Sequence, residues 1–227
     1  MPATPHPDWL RWTQRLQAIA QTGLTYARDP YDLERYAEMQ QIVGEMLAAG
    51  SGQPLTPILD FLTQQTGYAT PKIDTRGVVF REDKLLLVRE RSEGLWTLPG
   101  GWADVGLSPS ENVEREIREE SGFRARAVKL LAVYDRHKHP HEPPLPFHVY
   151  KLFMLCTLLD GEATTSYETD AIGFFGEDEI PPLSLGRITT FQIARNILRI
   201  LGRRRPTTGQ YPPPSRTAFL HFPRHLR

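Results

Sequence analysis

The sequence predicts an α+β protein in which a small helical domain precedes a domain built on a mixed sheet. Three observations carry that expectation. Residues 8–65 place apolar side chains at helical spacing without an alternating run, and short strand-like runs begin near residue 67. Between the early and later strands lies one acidic helix with strong start and stop signals. A chain of 227 residues, 40% hydrophobic and 10% aromatic, suffices for one full domain plus a smaller one and excludes global disorder.

In the first helix Trp9, Trp12, Leu16 and Ile19 share a stripe. The second carries Leu33, Tyr36, Val43, Met46 and Leu47 at helical spacing and is expected to stop before the flexible Ala48-Ala49-Gly50-Ser51-Gly52. A third starts with Thr56 as N-cap and Pro57 in the first turn, and offers Ile58, Leu59, Phe61 and Leu62 to a core. These helices define a domain over 1–66. Gly77–Phe80 and Lys84–Arg89, joined by Arg81-Glu82-Asp83, read as a hairpin, and further strands are expected at 127–134, 147–158 and 171–175. A last helix over 188–201 presents Phe191, Ala194, Leu198 and Leu201 and ends at Gly202. Residues 203–227 hold six arginines, five prolines and no acidic residue, the composition of a disordered or loosely docked tail.

Charge and cysteine content narrow the function classes. With 27 basic and 27 acidic residues the net charge is zero, which argues against a nucleic-acid or anionic-membrane binder. The tail alone carries +6, so the rest of the chain stands at −6. Cys156 is the single cysteine and lies in an apolar run, which excludes a disulfide framework and a cysteine zinc site and suits a reducing compartment. No signal-peptide core and no apolar run of roughly twenty residues occurs, so a soluble cytoplasmic protein is expected.

The helix over 109–121 carries the chemistry. Ser108, Pro109 and Glu111 form a capping-box start, Gly122 is the stop, and Val113 and Ile117 are its only bulky apolar residues. Five glutamates face two arginines. Glu111 with Arg115 and Glu114 with Arg118 make favourable pairs, but Glu116, Glu119 and Glu120 repel one another near the negative end of the helix. A divalent cation held by carboxylate oxygens removes that repulsion, and hard oxygen ligands favour Mg²⁺ or Mn²⁺. Upstream, Leu98-Pro99-Gly100-Gly101 is a turn whose paired glycines allow close backbone approach and a carbonyl ligand.

Gly101, Arg115, Glu116, Glu119, Glu120 and Gly122 fall in the register of the Nudix box, G-x(5)-E-x(7)-R-E-U-x-E-E-x-G-U with U bulky and apolar, and the chain resembles that family over 67–202. The resemblance implies a Nudix-type α/β/α sandwich with a mixed sheet. It also implies a Mg²⁺- or Mn²⁺-dependent hydrolase that cleaves a nucleoside diphosphate linked to another moiety, with a bacterial subgroup acting on compounds such as CDP-choline or ADP-ribose. In that reading Glu116, Glu119, Glu120 and the Gly101 carbonyl hold metal, Arg115 orients Glu116, and Glu168 is a further ligand or general base. One position departs: Leu107 replaces the first box glutamate, which implies reduced hydrolysis that Leu107→Glu would raise, with Glu111 as a partial stand-in toward Arg115.

Arg89 and Arg91 are candidate phosphate contacts just upstream of the Gly-Gly turn, and Trp96 and Trp102 flank it, one of them a candidate base-stacking residue. His137, His139 and His141, with His148 beyond, resemble a metal tract, but they lie in a Pro-rich connection that reads rather as part of the substrate rim. The leading expectation is a pyrophosphohydrolase, a homodimer through its N-terminal helices; the competing ones are a Nudix-fold binding or regulatory protein and an RNA-end processing enzyme steered by the basic tail.

Overall fold

The computed structural model describes residues 7–194. Internal packing divides the chain into two units: the residues up to Pro71 together with Glu142–His148, and Lys72–His141 together with the described residues from Val149 onward. Among the described residues no helix is long and apolar enough to cross a membrane.

The first unit packs α1 (Asp8–Tyr26), α2 (Pro30–Ser51) and α3 (Leu55–Thr63) around Leu10, Val43, Leu47, Ile58 and Leu62, with Phe147 against Phe61. Asp29 caps α2 by accepting from the Tyr31 and Asp32 amides. The helix continues through Ala48–Gly50, beyond its expected end, because Gly50 has no side chain to obstruct the Trp9 ring; a Cβ there would lie 2.4 Å from it. Gly52, at φ +69°, is the actual stop. Pro54, not Thr56, occupies the N-cap position of α3: it has the extended ψ that a cap needs and no N–H to satisfy.

The second unit contains β1 (Lys72–Arg81), β2 (Lys84–Glu90), β3 (Trp96–Thr97), α4 (Pro109–Ser121), β4 (Phe123–Asp135), β5 (Val149–Gly161) and β6 (Thr169–Phe175). The sheet order is β3-β2-β1-β5-β4, with β6 on β2; β1 and β5 run parallel and the other pairs antiparallel, which makes the sheet mixed. Val113 and Ile117 of α4 cover Val79, Leu86, Met154 and Cys156. A separate cluster holds Val78, Leu85, Leu87 and Phe153 with Ile188 and Ile193. Helical geometry resumes at Thr190, where Thr189 and Gln192 exchange cap hydrogen bonds. The buried apolar residues there are Ile188 and Ile193; Phe191, expected in the core stripe, stacks on His139 instead. Leu198, Leu201, Gly202 and the 203–227 tail lie outside the described residues.

One irregularity builds the site. The pairing of β1 with β2 lasts only for Phe80↔Leu85 and Arg81↔Lys84. Beyond it the strands part and the chain from Trp96 to Ala103 takes up the freed edges. Trp96 and Thr97 pair with β2, and then Pro99 O, Gly101 O and Ala103 N bond to Gly77, Thr75 and Ile73 of β1 at 2.8–2.9 Å. The Gly-Gly turn is thereby fixed inside the sheet rather than on a free loop.

Candidate active site

Helix α4 faces that turn. Its capping box is formed: the Ser108 hydroxyl accepts from the Glu111 amide at 3.3 Å, and a Glu111 carboxylate oxygen accepts from the Ser108 amide at 2.8 Å. Gly122, at φ +75°, closes the other end. Gly100 adopts φ +136° and passes so close to β1 that a Cβ would sit 2.0 Å from the Thr75 carbonyl, so only glycine fits. At Gly101 a Cβ would lie 3.2 Å from Glu116 Oε2, in the space between turn and helix.

The three box carboxylates differ in environment. Glu120 is 5% exposed and accepts from the Gly100 amide at 2.8 Å. Burial pushes its carboxyl up to about 8, against the pull of Arg76 and the Gly100 amide, with Glu90 and Glu116 adding to the rise. Glu116 is also raised by burial, although Arg115 opposes that by donating to its Oε1 at 2.9 Å. Glu119 is exposed, 3.8 Å from Arg115 Nε. On β2 stands a further buried carboxylate, Glu90, with Arg187 at 3.1 Å from one oxygen and, among the described residues, no hydrogen-bond partner for the other. Crowded carboxylates, a buried oxygen without a donor among the described residues, and a Gly101 carbonyl that keeps a second lone pair beside its bond from the Thr75 amide fit a hard divalent cation.

Arg115 is gripped from three sides. Beside Glu116 and Glu119, its Nη1 lies 2.6 Å from Asp104 Oδ2. Glu111, the expected stand-in for the lost box glutamate, is instead held by the capping box, and Leu107 is exposed. Asn112, fully buried, fastens this region: its Oδ1 accepts from the Asp104 amide at 3.0 Å and its Nδ2 donates to Thr75 Oγ1 at 2.8 Å.

The remaining candidates fall around this centre. Glu168 is exposed in the turn before β6, its carbonyl accepting from the Arg91 amide and its charge felt by Glu90. Arg89 pairs with Asp170 at 2.7 Å. Arg91 donates to the carbonyls of Ser166, Tyr167 and Thr169 and so braces the Glu168 turn. Trp102 is half-buried, its backbone bridging to Asp74. Trp96 packs edge-on to Phe175 in the core. The buried His141 is not a rim residue, since it bonds to Leu185 O and Gln192, whereas the partly buried His139 packs against Tyr134 and Phe191.

Sequence reasoning missed Glu90, Asp104 and the buried group Asp74, Arg76 and Lys151. Asp74 accepts two bonds from Arg76, at 2.7 and 3.0 Å, and one from Lys151 at 2.6 Å. Burial alone would raise the Asp74 carboxyl, yet the two cations hold it well below the usual carboxylate range. Arg76 also donates to the Leu98 carbonyl at 3.1 Å, which ties this group to the Gly-Gly turn. A polar residue at every inward position of a run otherwise bounded by Val78 and Val79 was the available signal.

Comparison with known proteins agrees with this arrangement. Residues 71–216 match the NUDIX domain and residues 7–62 match the UDP-X-like N-terminal oligomerisation domain. A putative ADP-ribose pyrophosphatase of Bacillus subtilis is 50% identical over 186 residues, 82% of this chain and 89% of that protein. A crystal structure of a UDP-X diphosphatase superposes with a TM-score of 0.56 at 38% identity, covering 87% of this chain and 96% of that one. An ADP-ribose pyrophosphatase from Streptococcus suis gives 0.52 at 46% identity over 58% of this chain and 92% of its own. With Glu116 and Glu120 set against the turn and both parts of the chain matched, the protein belongs to the Nudix family and is a Nudix hydrolase.

Proposed function

We propose that this hydrolase cleaves the pyrophosphate of a nucleoside diphosphate joined to a second moiety, a compound of the ADP-ribose or UDP-X type, and does so with Mg²⁺ or Mn²⁺. The observation that carries the reading is that Glu116 and the buried Glu120 meet the Gly100–Gly101 turn, with the exposed Glu119 beside Arg115 on the same helix. A divalent cation held there would neutralise the diphosphate and acidify the attacking water. The chain's own groups do the rest. Glu116, Glu119, Glu120 and the Gly101 carbonyl hold the cation, and Arg115 sets the carboxylate of Glu116. Glu168 takes the proton of the attacking water or adds a ligand. Arg89, and Arg91 to the extent that its backbone contacts release it, receive phosphate oxygens, and Trp102 stacks on the base. The products are a nucleoside monophosphate and the phosphorylated second moiety.

The 50% identity to a putative pyrophosphatase supports this above a binding or regulatory role without chemistry. The match of residues 7–62 to an oligomerisation domain supports a homodimer through the N-terminal helices. The mass in solution of a chain beginning at Tyr68 tests that: a mass per particle still twice that of one chain would refute it. The function is tested by incubating the protein with ADP-ribose, a UDP-sugar and CDP-choline, with Mg²⁺, Mn²⁺ or EDTA, and scoring monophosphate release. Metal-independent release, or none from any compound, refutes the reading.

A further inference from the structure

The family's box glutamate is Leu107 here, so Arg115 has lost the carboxylate that the box would supply, yet it is not left open. Asp104 lies three residues earlier in the chain, with its Oδ2 2.6 Å from Arg115 Nη1, while Nη2 of the same guanidinium donates to Glu116 Oε1 at 2.9 Å. The two bonds leave from neighbouring nitrogens, so the position of Asp104 dictates the plane of the guanidinium and hence where Glu116 Oε1 is held. An exposed aspartate on a loop would not do this reliably, since an isolated surface ion pair contributes about 0–1 kcal/mol and samples many geometries.

This aspartate is anchored. Its amide donates to Asn112 Oδ1, the amide of Ala103 before it donates to the Ile73 carbonyl at 2.9 Å, and the amide of Leu107 donates to its carbonyl. Asn112 is fully buried and reaches Thr75 Oγ1 on β1 with its other end. Helix, strand and loop thus meet at one side chain, and the loop backbone is fixed on both sides of the Asp104 carboxylate. Glu111 has no part in it, because its carboxylate is spent on the Ser108 amide.

We propose that Asp104 is the positioning residue for catalysis in this chain, taking over toward Arg115 the work of the glutamate that Leu107 replaces. It touches neither substrate nor metal and acts only through Arg115 on Glu116. The inference deepens the hydrolase reading and rests on it.

The test is a cycle of four full-length proteins: wild type, Asp104→Asn, Arg115→Gln and the double variant, assayed with ADP-ribose, or whichever diphosphate of the panel is turned over. Asp104→Asn should lower kcat about tenfold with KM within about twofold and the melting temperature unchanged. In the Arg115→Gln background the same change should cost nothing further, since its only route of action is gone. A kcat within twofold of wild type, or losses that multiply in the double variant, overturns the proposal. If no diphosphate is turned over, the hydrolase reading fails by itself, and Mn²⁺ titration of the same four proteins decides the inference. Asp104→Asn should then weaken Mn²⁺ binding severalfold in the wild-type background and not in Arg115→Gln, and equal affinities across the four overturn it.

Discussion

Two buried charge clusters meet at β1, and they are built on opposite terms. Around Asp74 the account is closed: one carboxylate receives Arg76 and Lys151, both 2% exposed, and every oxygen is engaged. Around Glu120 it is open: Glu90, Glu116 and Glu120 share the field of Arg76, and one oxygen of Glu90 meets no donor. Arg76 belongs to both, bound to Asp74 and within electrostatic reach of Glu120 and Glu90. The closed cluster has every carboxylate oxygen paired and works as scaffold, whereas the open one crowds carboxylates at a cost that a proton on Glu120 relieves and that a bound cation would relieve as well.

The largest expected effect tests the closed side. Asp74→Asn leaves Arg76 and Lys151 buried without their anion, and breaking such a pair costs about 3–5 kcal/mol. Urea unfolding of the variant measures it. A loss below about 1 kcal/mol would mean that the two clusters are alike and that Asp74 is not the keystone.

Glu120→Gln tests the open side and should show the reverse pattern. The amide keeps an oxygen for the Gly100 N–H but removes the charge, so hydrolysis should fall about 10²–10³-fold, the scale of losing one preorganised electrostatic contact. Metal-free stability should hold or rise, since the variant no longer buries a carboxylate among carboxylates. A variant that hydrolyses normally, or one that unfolds, contradicts the assignment of this cluster to function.

A milder expectation concerns pH. The Glu120 carboxyl is raised in the folded chain to about 8 from an ordinary value of 4.5, so between these values the folded state binds the extra proton. Its contribution to stability is fully present below about 4.5 and is lost as pH rises through 8. Since the lowered His141 and Lys151 act in the opposite sense, the melting temperature of metal-free wild type should fall by a few degrees across that window relative to Glu120→Gln, and saturating Mg²⁺ should shrink that difference. A flat profile identical in all three would remove the open cluster as a source of strain.

How much of this was readable beforehand differs by element. Helix α4 was legible to the residue, because capping box, N1 proline and terminal glycine are local signals that tertiary packing did not override. The strand starts were not. Asp74 and Arg76 occupy inward positions of β1, so a core lined with paired charges broke the apolar pattern and the strand seemed to begin at Gly77 rather than Lys72. The parting of β1 from β2, which sets the turn against the helix, depends on long-range pairing that no local motif records. Asp104 was hidden for a similar reason: its tie to Arg115 spans the loop, and the register in which it works is fixed by the buried Asn112 and by the Ala103 bond to β1, neither of which a local motif records.

The smallest expected effect is at Leu107. Read from the box alone, a carboxylate there should restore what Arg115 lacks, and kcat should climb tenfold. In the fold that carboxylate is already replaced: Nη1 is on Asp104 and Nη2 is on Glu116, while Nε, 3.8 Å from Glu119, makes no hydrogen bond among the described residues. Leu107 is 37% exposed, and the fourth residue of α4, where a staple would pack, is the buried, hydrogen-bonded Asn112, so its side chain supports no cap either. A glutamate introduced there would have to compete with Asp104 for one guanidinium edge, and the winner would hold Arg115 in much the same plane. Leu107→Glu should therefore leave kcat within about twofold and stability within about 0.5 kcal/mol, as for most surface exchanges. In an Asp104→Asn background the same exchange should become useful and recover part of the lost rate. A tenfold gain from Leu107→Glu alone would show that the open cluster is open at Arg115 too, and that the pair with Asp104 does not hold it.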